Sequence, residues 1–174
     1  MAYRTAVSGW HDFYILAGTA SATLVGLLFV GLSLHLRIVI ASSEVRSLAR
    51  VTLANFGAIL FVALFMVIPD GQSTAAVQLI ASGVASLVIA TPSLVAAVQS
   101  EGRTLQMRRR DRVRLLLRFG LSVAGYLAAI VAGVLLFSSL TPAFTWLLVA
   151  ILVLLIVSLR NTWDLLVTVA DVTL

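Results

Sequence analysis

Apolar positions fall into five unbroken runs, at roughly 13–36, 48–68, 75–98, 115–140 and 144–159, with short polar or charged segments between them. The hydrocarbon core of a bilayer is about 30 Å thick, and a helix crosses it in about 20 predominantly apolar residues. The pattern predicts an all-α integral membrane protein, with helices at about 12–38, 47–68, 74–98, 107–140 and 142–160. A cytoplasmic tail, 161–174, keeps apolar spacing at Leu165, Leu166, Val169 and Val172. It is expected either to prolong the last helix or to lie along the membrane surface as an amphipathic segment. Spanning barrels alternate apolar and polar residues in segments of about ten, whereas these runs are continuous. Almost all of the chain is used in crossings, so residues 1–174 read as a single transmembrane domain.

Local punctuation agrees with these cuts. Pro69-Asp70-Gly71 is turn chemistry between the second and third runs. Thr141-Pro142 reads as an N-cap followed by proline at the first helical position. Ser8 is a candidate cap for the first helix. Thr91-Pro92 is expected to kink the third helix or to end its regular part. The first run exceeds the 7–15 apolar residues of a signal peptide and has only Arg4 before it, so it reads as a retained helix. The fifth run is the shortest; a re-entrant segment there is the alternative to a full crossing.

Composition sharpens the class. The chain is 61% hydrophobic and 11% charged, against about 45–50% and about 25% in soluble domains. There are no cysteines and no lysines, and all 12 cations are arginine. Without cysteine there are no disulfides, thiolate nucleophiles or thiolate metal ligands. The arginines are unevenly placed. Arg37, Arg46 and Arg50 lie between the first two runs. Arg103, Arg108, Arg109, Arg110, Arg112, Arg114 and Arg118 lie between the third and fourth, and the other two connections have none. Because cytoplasmic loops carry the arginine excess, the N-terminus is expected outside and the C-terminus inside. Trp10, Tyr14 and Trp146 then fall near the outer interface and Trp163 near the inner one, as aromatic belts do.

The first helix carries the clearest facial pattern. At about 100° per residue, Asp12, Thr19, Thr23, Gly26, Val30, Ser33 and Arg37 share one side. In a symmetric assembly this stripe would line a narrow polar path with charged rings at its mouths. In a packed bundle it would instead bring neighbouring helices close together. Gly18, Ala22 and Gly26 follow small-xxx-small spacing, and Gly125, Ala129 and Gly133 repeat it in the fourth helix. Such faces pack either within a protomer or between protomers. Asn55 and Gln78 are the polar side chains at membrane depth, and no acid or base lies near a helix centre. Intramembrane ionisable groups mark proton relays, so a proton-coupled pump is disfavoured. Arg108, Arg109, Arg110, Arg112, Arg114 and Arg118 are candidates for contact with anionic lipids or a partner protein, beside their role in orientation. No nucleic-acid-binding fold fits the remaining sequence.

No nucleophile elbow, metal-ligand motif, phosphate loop or buried carboxylate pair is present. The expectation is a non-enzyme with no cofactor and no metal. His11 and His35 lie about 36 Å apart on one helix and cannot share an ion within a chain. The segment Trp10-His11-Asp12-Phe13-Tyr14, the run from Gly18 to Leu34, and Val67-Ile68-Pro69-Asp70-Gly71-Gln72 resemble a group of small bacterial membrane proteins. Some of that group are labelled modulators of the membrane-anchored protease FtsH. The resemblance covers roughly residues 10–75 and implies a multi-helix protein of the bacterial inner membrane, without transferring any catalytic residue. The group often has a Pro-Gly-Gln turn, from which Pro69-Asp70-Gly71-Gln72 departs. The function expected is an oligomeric, channel-like membrane assembly with the first helix central and a preference for anions, because Arg37 and its neighbours make the inner mouth positive. The alternative is a regulatory or scaffolding partner of a larger membrane machine, such as a membrane-anchored AAA protease.

Overall fold

The computed structural model describes residues 2–68, 71–103, 109–138 and 140–173. They form six helices: α1 (Ala2–Leu34), α2 (Leu36–Ala41), α3 (Ser43–Val67), α4 (Gln72–Arg103), α5 (Arg109–Leu136) and α6 (Leu140–Thr173). No strand occurs among the described residues. All but the six-residue α2 are long and apolar enough to cross a membrane. Continuous apolar runs favour helices because a helix satisfies its own backbone groups, which hydrocarbon cannot do.

Helices α3, α4, α5 and α6 close a ring in which each packs on the next and α6 returns to α3. Helix α1 lies outside this ring, docked mainly on α3 and touching α6 at one edge. Neighbours α1 and α3 run antiparallel: a Cβ on Gly18 would lie 3.0 Å from the Ala63 Cβ, and the Ser21 hydroxyl donates to the Phe56 carbonyl at 2.6 Å. Helices α4 and α5 approach still more closely. A Cβ on Gly133 would meet the Ala76 carbonyl at 3.0 Å and Ile80 Cγ1 at 2.8 Å; one on Gly83 would meet Ile130 Cγ1 at 2.5 Å and the Tyr126 carbonyl at 3.1 Å. Small residues that let backbones meet are what hold helices together in a bilayer, where there is no water to exclude.

The ring is filled. Phe56, Ile59, Leu79, Tyr126, Leu147, Ile151 and Leu154 are fully buried. Among them sits a polar knot joining α3 to α5. The Asn55 amide donates to the Ser122 hydroxyl at 3.0 Å, and the Tyr126 hydroxyl donates to the Asn55 carbonyl oxygen at 2.5 Å. Removing the amide leaves two buried hydroxyls without that partner. Asn55→Ala is therefore expected to destabilise the bundle by roughly 1–2 kcal/mol, read as a lower thermal midpoint in detergent with assembly size unchanged.

Several element ends differ from the sequence reading. Helix α1 starts at Ala2, ten residues before the predicted start. The reason is a second apolar stripe: Tyr3, Ala6, Val7 and Trp10, at i, i+3, i+4 and i+7, all pack against the core. Trp10 stacks on Phe144 with ring centroids 6.2 Å apart. Ser8 is not a cap; it lies inside α1 and its hydroxyl donates to the Thr5 carbonyl at 2.8 Å. The first helix is broken at His35, whose N–H turns to the Leu32 carbonyl at 3.3 Å. The His35 Nδ1 lies 3.2 Å from the Gly31 carbonyl that this turn would otherwise leave without its i+4 partner. The next start is capped by Ser42, whose side chain accepts from the Val45 N–H. Helix α4 continues through Pro92 rather than ending there. Thr141 lies within the first turn of α6 rather than before it, and so does Pro142, where a missing N–H costs little. Helix α6 is unbroken over 34 residues, so residues 161–173 prolong it. Pro69 and Asp70 lie outside the described residues.

Candidate functional site

Helix α1 has two distinct sides. Tyr14, Ala17, Ser21 and Leu28 are buried against the rest of the protomer. Their spacing of three, four and seven residues sets one face of a 3.6-residue helix. At 100° per residue, the stripe through Thr19, Thr23, Gly26, Val30 and Ser33 is centred about 180° away. All seven predicted positions, from Asp12 to Arg37, are exposed, Val30 at 59%. A Cβ on Gly26 would find nothing within 4 Å. Thr19, Thr23, Gly26, Val30 and Ser33 are therefore brought together on one exposed side of α1, while Arg37 lies beyond the break at His35, on α2.

Its hydroxyls are satisfied locally. Thr23 donates to the Thr19 carbonyl at 2.9 Å, and Ser33 to the Phe29 carbonyl at 2.7 Å. Each oxygen keeps its acceptor capacity facing outward. The stripe is flanked on α1 by Leu16, Leu27 and Leu34, all strongly exposed, which suit acyl chains. The small and hydroxylated strip beside them suits a protein surface better than lipid. Asp12 and Ser33 sit about 32 Å apart along the α1 axis, close to the 30 Å thickness of a hydrocarbon core, and Arg37 follows past the break at His35, on α2.

A groove of about 290 Å³ runs beside the stripe between α1 and α3. It is lined by Ile15, Gly18, Thr19 and Ala22 on one wall and by Leu60, Leu64 and Val67 on the other. Thr19 belongs to both groove and stripe, so the two form one continuous surface.

The other predicted positions separate from this surface. Gly18 closes the contact with α3, while Ala22 is exposed at the groove. Gly125, Ala129 and Gly133 are turned inward. Gly125 faces the Leu154 side chain of α6, Ala129 packs with Ala128 and Ala150, and Gly133 faces α4. These three hold the protomer together and are not available to a second copy. Arg108 lies outside the described residues, and Arg109, Arg110, Arg112, Arg114 and Arg118 lie along the first ten residues of α5. Sequence reasoning missed Gly83, Ser122 and Tyr126. Their signal is a lone glycine between Leu79 and Leu87 and a Ser122–Tyr126 pair one helical turn apart, but only the α4–α5 and α3–α5 pairings give each its partner. No group of three or more His, Cys, Asp or Glu side chains that would hold a metal occurs among the described residues.

These features are those of an all-helical protein with five helices long and apolar enough to cross a membrane, four of them closed into a core and one flanking it with an exposed polar stripe. Among known proteins, the chain matches no family model, no curated protein and no solved structure.

Proposed function

We propose that the protein is a non-enzymatic, self-associating membrane protein in which copies meet through the outward face of α1, enclosing a narrow, anion-preferring passage. The observation that carries this reading is the stripe itself. Thr19, Thr23, Gly26 and Ser33 face directly away from the protomer, in a helix whose opposite face is fully engaged. The filled interior of the four-helix ring supports a path between protomers over one through a protomer. Arg37 is exposed at one end of the stripe and Asp12 at the other, so an assembly of parallel copies has a basic mouth and an acidic mouth. Rings of charged side chains set the local potential for ions.

The orientation that goes with this reading has the Arg37 end inside, because Arg37, Arg46, Arg50 and Arg160 are exposed at that end. With no native cysteine to interfere, Ser73→Cys is expected to react with an impermeant thiol reagent from outside and Ser43→Cys only from within. The reverse labelling contradicts the orientation.

Conduction is tested by liposome flux. Wild-type protein is expected to pass halide faster than potassium, Thr23→Trp to block both, and Arg37→Glu to reverse the preference. Absence of flux from correctly assembled protein removes the passage. The same face would then serve as a docking surface for a helix of another membrane protein, as in the regulatory alternative.

A further inference from the structure

The groove between α1 and α3 has the length of half a bilayer. Its floor is the contact of Gly18 with Ala63. Four residues back along α1 and four on along α3 bring Tyr14 level with Val67, where α3 ends. Both lie at the edge of their apolar runs, 13–36 and 48–68. From that level the lining reaches inward to Ala22 on α1 and Leu60 on α3. At 1.5 Å per residue the two walls are about 11–12 Å long. Half of a 30 Å hydrocarbon core is about 15 Å. At the inner end the Ser21 hydroxyl donates to the Phe56 carbonyl at 2.6 Å and draws α1 onto α3, and the lining stops there, near mid-depth.

Width and chemistry narrow the occupant. A volume of about 290 Å³ over about 12 Å gives a mean cross-section of roughly 24 Å², about a third of that of a helix 10 Å across. A helix of a partner or of a second copy is too wide for this groove and would not end at half depth. A single polymethylene chain suits both its width and its length. Ile15, Thr19, Ala22 and Leu64 are exposed along the rims, so a chain enters sideways from surrounding lipid. Tyr14 lines the interface end, and its hydroxyl is buried with no hydrogen-bond partner among the described residues. Tyrosine at this depth combines an apolar ring with a polar tip, and the ester carbonyls of a glycerolipid lie at the same level as acceptors.

We propose that the α1–α3 groove is a binding site for one acyl chain of a glycerophospholipid from the leaflet at the Tyr14 end, seated with its ester end toward Tyr14 and its tail toward Ala22 and Leu60. The site is complete within one protomer. It rests on the protein's being embedded in a membrane, and not on self-association.

The test uses the full-length protein, first shown to stay with membranes on alkaline extraction, so that failure of the membrane reading is seen before any lipid is measured. Native mass in mild detergent with dipalmitoyl phosphatidylcholine as probe is expected to show a lipid retained on each wild-type protomer. Ala22→Phe fills the groove from an exposed position and should lose that lipid. Leu16→Phe adds an aromatic ring to α1 outside the groove and should keep it. Gly26→Leu alters the stripe and leaves the groove intact, so it too should keep the lipid whether or not copies associate. A phosphatidylcholine carrying a mid-chain diazirine should label peptides that contain Gly18–Ala22 or Leu60–Leu64. Circular dichroism and size exclusion check that each variant is folded. Absence of retained lipid from the wild type overturns the proposal. So does equal retention by Ala22→Phe, equal loss in Leu16→Phe, or labelling confined to other helices.

Discussion

Gly133→Leu is expected to break the protomer apart. A Cβ alone at this position meets the Ala76 carbonyl at 3.0 Å and Ile80 Cγ1 at 2.8 Å. The carbonyl belongs to the α4 backbone and cannot turn aside, so α4 and α5 must separate along their whole contact. Overpacking a well-filled core costs about 1–3 kcal/mol, and loss of the close helix approach adds to that. A drop in thermal midpoint of roughly 6–12 °C is expected, or failure to recover a folded protein at all. Gly125→Leu should cost less, because its obstruction is the Leu154 side chain at 2.6 Å, which has rotamers to use. Thermal unfolding of both variants in the same detergent, followed by size exclusion, checks the order. A Gly125 variant less stable than the Gly133 variant would mean that backbone approach is not what limits this contact.

Gly26→Leu should give the opposite result. Nothing lies within 4 Å of a Cβ at Gly26, so the protomer tolerates the larger side chain and its thermal midpoint changes little. The loss should appear in assembly. A leucine on the outward stripe holds a second helix off by its own thickness, and close van der Waals packing is the main attraction available in lipid. On the proposed self-association, native mass or single-particle size is expected to fall from an oligomer in the wild type to the protomer. The pair of glycines thus separates two roles that share one sequence signature.

That shared signature explains what the sequence revealed and what it withheld. The five long apolar helices were legible because each apolar run is long enough to span a bilayer and lacks charge at its centre. The extent of α1 was less legible: Tyr3, Ala6, Val7 and Trp10 are too sparse to register as an apolar run, and only their packing on the core reveals the extra turns. The facial pattern of α1 could be read from residues 12–37, but its direction could not. Small-xxx-small spacing occurs at Gly18-Ala22-Gly26 and at Gly125-Ala129-Gly133 alike. One is largely turned outward and the other inward, and helical period carries no information about which neighbour a face meets. Asn55 stood out as a polar residue at depth; Ser122 and Tyr126 did not, because their selection depends on α5 lying against α3 inside the ring.

The absence of native cysteine lets single engineered thiols report which face of the protomer meets a second copy. Thr23→Cys places a thiol on the outward stripe of α1, and Val88→Cys places one on an exposed face of α4. Mild oxidation of the protein in membranes, followed by non-reducing electrophoresis, tests which face meets a second copy. Rapid cross-linking to a dimer is expected at position 23 and little at position 88. Cross-linking at 88 with none at 23 would contradict α1 as the meeting surface.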